Sequence, residues 1–241
     1  MHAWLCETTT GPQDLAWREL PTPEPAADEV RIKIRAASIN FPDLLTVVGK
    51  YQIRPELPFV PGSEFAGTVD AVGSAVTHLK PGMPVAAIGS SGGFGTHACV
   101  KAANAIPLPP GFKLEDAAAF AFTYGTSHHA LLDRGQLKAG ETVLVLGAAG
   151  GVGTAAVQIA KAAGATVIAA ASTDDKCAAC RAIGADAAIN YATQSLRDEL
   201  KALTGGRGVD VVFENVGAAV WASALKSAVR GGRIVTCGAT S

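Results

Sequence analysis

A chain of 241 residues can hold one large domain or two ordinary ones. With 49% hydrophobic residues and a mean hydropathy of +0.26 it has enough apolar side chains for a real core, which excludes a disordered chain. A net charge of −1, with no Lys/Arg block, excludes nucleic acid or an anionic membrane as the main partner.

In chain order, Met1 to Thr10 lacks the charged start and apolar run of a signal peptide, and no uninterrupted apolar segment is long enough to span a bilayer. Glu29 to Ala36 alternates, with Val30, Ile32, Ile34 and Ala36 on one face and Glu29, Arg31, Lys33 and Arg35 on the other. That pattern predicts a half-solvated antiparallel strand. Phe65 to Val72 reads as another strand closed by Gly73, Lys80-Pro81-Gly82 as a turn, and Pro84 to Ile88 as a further short strand. Short strands with Pro- and Gly-rich turns point to a barrel-like β domain.

From about residue 124 the grammar changes. Strands are expected near 143–147, 166–171, 186–190, 209–214 and 233–237, with helices near 151–163, 174–184, 193–203 and 218–229. This alternation predicts a doubly wound α/β domain, so the chain divides into 1–123 and 124–241.

The first strand of that second half carries the chemistry. Val143-Leu144-Val145-Leu146 is a continuous apolar run, as in a parallel strand buried on both faces, and it ends in Gly147-Ala148-Ala149-Gly150-Gly151-Val152-Gly153. Val152, Ala156, Ile159, Ala160 and Ala163 then recur at helical spacing. A strand, a glycine-rich turn and a helix start bring backbone amides up to a pyrophosphate, which predicts a dinucleotide cofactor. In this reading Gly147 permits the sharp turn, Gly150 and Gly151 clear the path of the phosphates, and Gly153 lets helix and strand approach. Val152 adds a backbone amide.

The tip of the next strand, Ala170-Ala171-Ser172, bears no carboxylate to accept from a ribose 2′-hydroxyl. A 2′-phosphate is not repelled there, so the expectation is NADPH over NADH. Ser172 is a donor to that phosphate. Lys176 is either a point charge for it or a solvated helix-face lysine. Asp174 and Asp175 follow at the start of the next helix, where acidic residues suit the dipole. Asn215, Val216 and Gly217 follow the fourth strand, at the carboxyl-end crevice where ligands sit.

The cysteines are odd in number, five, and scattered, which suits a reducing cytoplasm. Cys177 and Cys180 form a C-x-x-C, but no second ligand pair accompanies it for zinc, and the expectation is inert, packed thiols.

With both halves placed, Ile39-Asn40-Phe41-Pro42-Asp43, Pro61 to Gly67, Tyr124-Gly125-Thr126, Gly147 to Gly153, Gly184-Ala185-Asp186 and Gly208 to Phe213 occur in family order. On these segments the chain resembles zinc-independent medium-chain dehydrogenases/reductases, close to the NADPH:quinone oxidoreductases. The resemblance implies a GroES-like β domain and a Rossmann domain with the cofactor in the cleft between them.

It also implies site roles. Ser172, Lys176 and Tyr191 match positions around the adenosine 2′-phosphate, Thr126 the threonine near the nicotinamide carboxamide, and Asn40 the residue beside the nicotinamide ribose. Tyr51 lies where relatives place an aromatic near the substrate, or else caps its own loop. Asn40, Tyr51 and Thr126 are thus the candidates for the catalytic centre, and Gly238 joins the cofactor set after the fifth strand. His128 and His129 are assigned to packing or the helix surface. In the zinc alcohol dehydrogenases to which this chain is similar, a Cys, a His and a second Cys hold the metal. Those positions fall at Asn40, Ser63 and near Phe122, which supply neither thiolate nor imidazole. No metal is expected.

The function implied is metal-free hydride transfer from NADPH to a quinone or similar conjugated carbonyl. Two alternatives stand beside it: an enoyl-thioester or 2-alkenal reductase, and a non-catalytic NADPH-binding module. The sequence stops after the fifth of the fold's usual six strands, and two expectations follow: either it is a shortened piece of a longer chain, or a sheet edge is left open. Full-length relatives use their last strand for homodimerisation, which leaves the oligomeric state of this chain open.

Overall fold

In the computed structural model, which describes residues 1–238 (Ala218 and Ala219 by backbone alone), the chain forms two units that divide between Phe122 and Thr123. In the first unit, β1 (His2–Leu5) and β2 (Ala16–Glu19) pair antiparallel as a two-stranded sheet of their own. The remaining elements are β3 (Glu29–Ala37), α1 (Phe41–Val47), β4 (Glu64–Val72), β5 (Pro84–Ile88), β6 (His97–Lys101), β7 (Ala105–Pro107) and the short α2 (Leu114–Ala117). Five of the strands join in the order β6-β3-β4-β5-β7, every pair antiparallel.

The alternation along β3 explains the packing. Val30 and Ile32 are buried with Phe65, Val69, Val85 and Val100, while Arg31 points outward and pairs with Asp70 and Glu24. Each such fully buried Val or Ile is worth about 1.5–3 kcal/mol relative to exposure. The β3–β4 register pairs Ala37 with Phe65, and the next step sets Ser38 beside Glu64.

The second unit begins within α3 (Ala121–His128), which runs on into a π-helical stretch, His129–Arg134. There follow β8 (Thr142–Leu146), α4 (Gly151–Ala162), β9 (Thr166–Ala171), α5 (Asp174–Ala182), β10 (Ala187–Asn190), α6 (Leu196–Leu203), β11 (Val209–Glu214), α7 (Ala218–Ser227) and β12 (Ala228–Thr236). The sheet is parallel throughout, in the order β10-β9-β8-β11-β12. Its two faces are both covered. Val143, Val145, Val211 and Phe213 pack with Ala156, Val157 and Ala160 of α4 and Cys180 of α5. Leu144, Leu146 and Val212 pack with Leu196 and Leu200 of α6 and Val220 of α7. This is the doubly wound α/β arrangement expected from the continuous apolar runs.

The last strand differs from the expectation. It starts at Ala228, directly after α7, instead of near residue 233. Val209 pairs with Ala228, whereas Val211 pairs with Arg233. The intervening residues are looped out around Gly231, whose φ is +80°, and a single irregular strand replaces the expected helix end and loop.

Candidate functional site

The strand order reverses between β8 and β11, and a doubly wound sheet opens its crevice at the carboxyl ends of such a pair. The glycines make that end approachable. Gly147 sits at φ +63°, a left-handed turn, and a side chain there would lie against Val216 and Asn215 at 3.4 and 3.5 Å. A Cβ on Gly153 would stand 2.3 Å from the Gly147 carbonyl oxygen, so only glycine lets α4 start this close to β8. Gly147, Gly150, Gly151, Gly153, Asn215 and Val216 are thus gathered around one strand-to-helix turn.

Gly150 is the N-cap of α4 and has no side chain to cap it; its own amide donates to Gly147 O at 3.0 Å, so the helix amides open to a ligand begin at Gly151, followed by Val152 and Gly153. The first amides of a helix have no internal partner. An anion with several acceptor oxygens satisfies them, and the helix dipole adds to the attraction. The residues present therefore fit a pyrophosphate.

α7 shows the contrast. Its N-cap is Gly217, yet the Oε1 atom of Glu214 accepts from Val216 N and from Gly217 N, both at 2.6 Å. Glu214 is 1% exposed. The chain's own carboxylate takes up those two amides. Sequence reasoning missed Glu214. Its signal was a carboxylate closing the buried run Val211-Val212-Phe213.

At the β9 tip, Lys176 Nζ donates to Ser172 Oγ at 3.2 Å, which brings these two expected residues together. Thr173 caps α5 by accepting from Lys176 N. Asn190 Nδ2 donates to Asp174 Oδ1 at 2.8 Å, so this nearby carboxylate is turned toward the end of β10. Tyr191 follows directly, half-buried, with its amide donating to Ala171 O. The Ser172 hydroxyl and the Lys176 ammonium form a donor pair that suits a phosphate monoester better than a diol, whereas the Tyr191 side chain packs against the apolar cluster of that sheet face.

Thr126 lies half-buried on α3, next to Ser127, whose hydroxyl donates to Val152 O at 2.7 Å. The Tyr124 hydroxyl bonds to Gln158 on α4. These bonds hold α3 against the first turns of α4, and so place Thr126 near the glycine turn. His128 and His129 are exposed on the helix surface, His129 between Asp133 and Arg134. Cys177 and Cys180 are buried on α5, and burial pushes the Cys180 thiol up. Gly238 follows β12, one residue after Cys237, whose amide donates to Glu214 O.

In the first unit, the Asn40, Ser63 and Phe122 positions converge on two carboxylates. Asn40 precedes α1 and is 9% exposed. Its Nδ2 donates to Ser38 Oγ at 2.9 Å and to Glu64 Oε2 at 3.1 Å. Ser38 Oγ also donates to Glu64 Oε2 (2.6 Å), and Phe122 N donates to Glu64 Oε1 (2.8 Å). Asp43 accepts from Asn40 N and Ser63 N. Ser63 Oγ is buried and has no partner among the described residues. Tyr51 is half-buried in the irregular segment after α1. An amide, a hydroxyl and a backbone N–H do not form a zinc site, and among the described residues no three His, Cys, Asp or Glu side chains are arranged to hold a metal. Glu64 is the second residue missed from the sequence, although a carboxylate opening the apolar stretch Phe65-Ala66 was its signal.

Two family models match: the alcohol dehydrogenase GroES-like domain over residues 26–110 and the zinc-binding dehydrogenase over residues 151–241. A quinone oxidoreductase-like protein 2 homolog from Nematostella vectensis is 39% identical over 214 residues, 88% of this chain and 59% of its own length. Quinone oxidoreductase-like protein 2 from Bos taurus is 37% identical over 252 residues, 98% of this chain and 72% of that protein. The chain therefore spans 59 to 72% of these two relatives. Among solved structures, Escherichia coli quinone oxidoreductase complexed with NADPH superposes with a TM-score of 0.89 at 34% identity, covering 97% of this chain and 72% of that one. No helix among the described residues is long and apolar enough to cross a membrane.

Proposed function

This chain belongs to the medium-chain dehydrogenase/reductase family, in its quinone oxidoreductase-like branch, and we propose that it transfers hydride from NADPH to a quinone or similar conjugated carbonyl without a metal. The observation that supports the reading is the pairing of the helix start at Gly151-Val152-Gly153 with the Ser172–Lys176 pair at the β9 tip, where the nearby Asp174 is engaged by Asn190. The Escherichia coli relative solved with NADPH supports the same coenzyme here.

When bound, NADPH supplies the hydride, so the chain's own residues need only bind and orient. The first α4 amides would hold the diphosphate. Ser172 and Lys176, with Tyr191 by the family resemblance, would hold the 2′-phosphate. By the family resemblance, Asn40 and Thr126 would orient the nicotinamide end and Tyr51 would border the acceptor. The Asn40, Ser63 and Phe122 donor set supports a reaction in which an electron-poor acceptor needs no Lewis acid.

The test is NADPH oxidation by a simple quinone and, side by side, by a 2-alkenal, each with and without EDTA. Quinone turnover that survives the chelator is expected. Turnover of the alkenal alone would move the acceptor class to enoyl-type substrates. Coenzyme binding without turnover of either would leave a binding module, and activity lost to EDTA and restored by zinc would overturn the metal-free reading.

A further inference from the structure

We propose that Asn190 sets the coenzyme preference of this chain by holding the Asp174 carboxylate away from the β9 tip. The inference rests on the reading of Ser172 and Lys176 as the 2′-phosphate donors, and adds what keeps their surroundings free of negative charge. In a doubly wound fold, a carboxylate just beyond the second strand accepts from the ribose hydroxyl and so favours NADH. The same charge repels a 2′-phosphate. Asp174 stands two residues after Ser172 and two before Lys176, at the first position of α5. Its place in the sequence alone would set it against the phosphate.

The geometry of Asn190 decides otherwise. Asn190 closes β10 opposite Ala171 of β9 and is 5% exposed. Its Oδ1 atom accepts from Ala192 N at 3.1 Å. A backbone N–H only donates, so this turn bond commits the oxygen end of the amide and presents the NH2 end to α5. That end donates to Asp174 Oδ1 at 2.8 Å. The main chain of Asn190 is fixed as well: its amide donates to Gln194 Oε1, and its carbonyl accepts from Gln194 N. A buried amide, oriented by backbone, thus holds an exposed carboxylate toward β10, while Lys176 Nζ turns to Ser172 Oγ. Asp175 is exposed and, one residue further along α5, lies on another face of the helix.

Asn190→Ser tests the role, because it keeps a hydroxyl acceptor for Ala192 N and removes the amide that reaches Asp174. By titration with NADPH and NADH, N190S should lower the preference for NADPH about fivefold, the scale of one like-charge contact near the surface. Asp174→Ala in the parent should leave the preference nearly unchanged, since the carboxylate is already held off. In the N190S background it should restore the parental preference. A merely structural Asn190 would weaken both coenzymes together, and D174A would not rescue it. An N190S preference equal to the parent's, no recovery in N190S/D174A, or a rise in D174A as large as that recovery would overturn the proposal. By NMR without coenzyme, the Asn190 side-chain NH2 protons should exchange slowly in the parent and faster in D174A; equal rates would overturn the contact itself. If they differ but the parent binds NADPH no more tightly than NADH, the 2′-phosphate reading has failed and the role of Asn190 falls with it. A parent that prefers NADPH, with N190S unchanged, would sink only the role of Asn190.

Discussion

The carbonyl oxygen of Gly147 lies where a side chain on Gly153 would need to be: a Cβ built there stands 2.3 Å from it. The close approach of α4 to β8, and with it the bare amides at the helix start, depends on one missing methyl group.

Gly153→Ala therefore forces the first turn of α4 away from the strand. The obstacle is backbone, so nothing flexible can yield. A loss of about 1–3 kcal/mol is expected from overpacking of this kind, measured by chemical denaturation. NADPH affinity should fall with it. An alanine variant as stable as the parent, with unchanged affinity, would contradict the packing argument.

Lys176 separates the two coenzymes. Its ammonium sits 3.2 Å from Ser172 Oγ at the β9 tip. Lys176→Ala should weaken NADPH binding about tenfold, as for a lost charge-assisted bond, and leave NADH untouched because NADH lacks the phosphate. Equal losses for both coenzymes, or for neither, would assign the lysine to the helix surface alone.

Acid should act through two ion pairs of the second unit. Glu141 is held below its ordinary value of 4.5, chiefly by hydrogen bonds from Arg233, against the opposing effect of burial. Asp210 is held below its ordinary value of 3.8, chiefly by Arg207. A carboxyl depressed in the folded state stabilises fully above its unfolded value and loses that contribution as pH falls toward its folded value. Stability of this unit should thus be level near neutrality and drop below about pH 4.5, on the scale of ordinary carboxyls. Arg233 also donates to Gly135 O and Gln136 O, so Arg233→Ala should cost about 2 kcal/mol at neutral pH and flatten the acid slope. Denaturant midpoints across pH check both, and an unchanged slope in the variant would rule out the Glu141 pairing as its source.

The thiols should be quiet. Burial pushes Cys99 and Cys237 up to about 11 and also raises Cys180. With the thiolate as the reactive form, Ellman reagent at about pH 8 should label the native chain slowly. All five thiols should react on unfolding. Rapid labelling of Cys177 or Cys180 in the native state would restore a redox role to the C-x-x-C.

The alternation of Val30 and Ile32 with Arg31 and Lys33, the unbroken run at Val143 to Leu146, and the glycines that follow were legible because local sterics and the strand and helix periods act over a few residues. They set the two kinds of unit, the order of elements and the glycine-rich turn. The early start of β12 could not be read, since its first bridge, Ala228 to Val209, competes with local helical spacing and wins through sheet pairing. Nor could the work of Glu64, whose partner Phe122 lies 58 residues on, or of Arg233, which meets Glu141 across 92 residues. A sequence states which side chains can accept or donate. Which of them is buried against which donor is decided only when strand register and packing bring distant backbone together, because hydrogen bonds depend on distances of tenths of an ångström that no local pattern encodes.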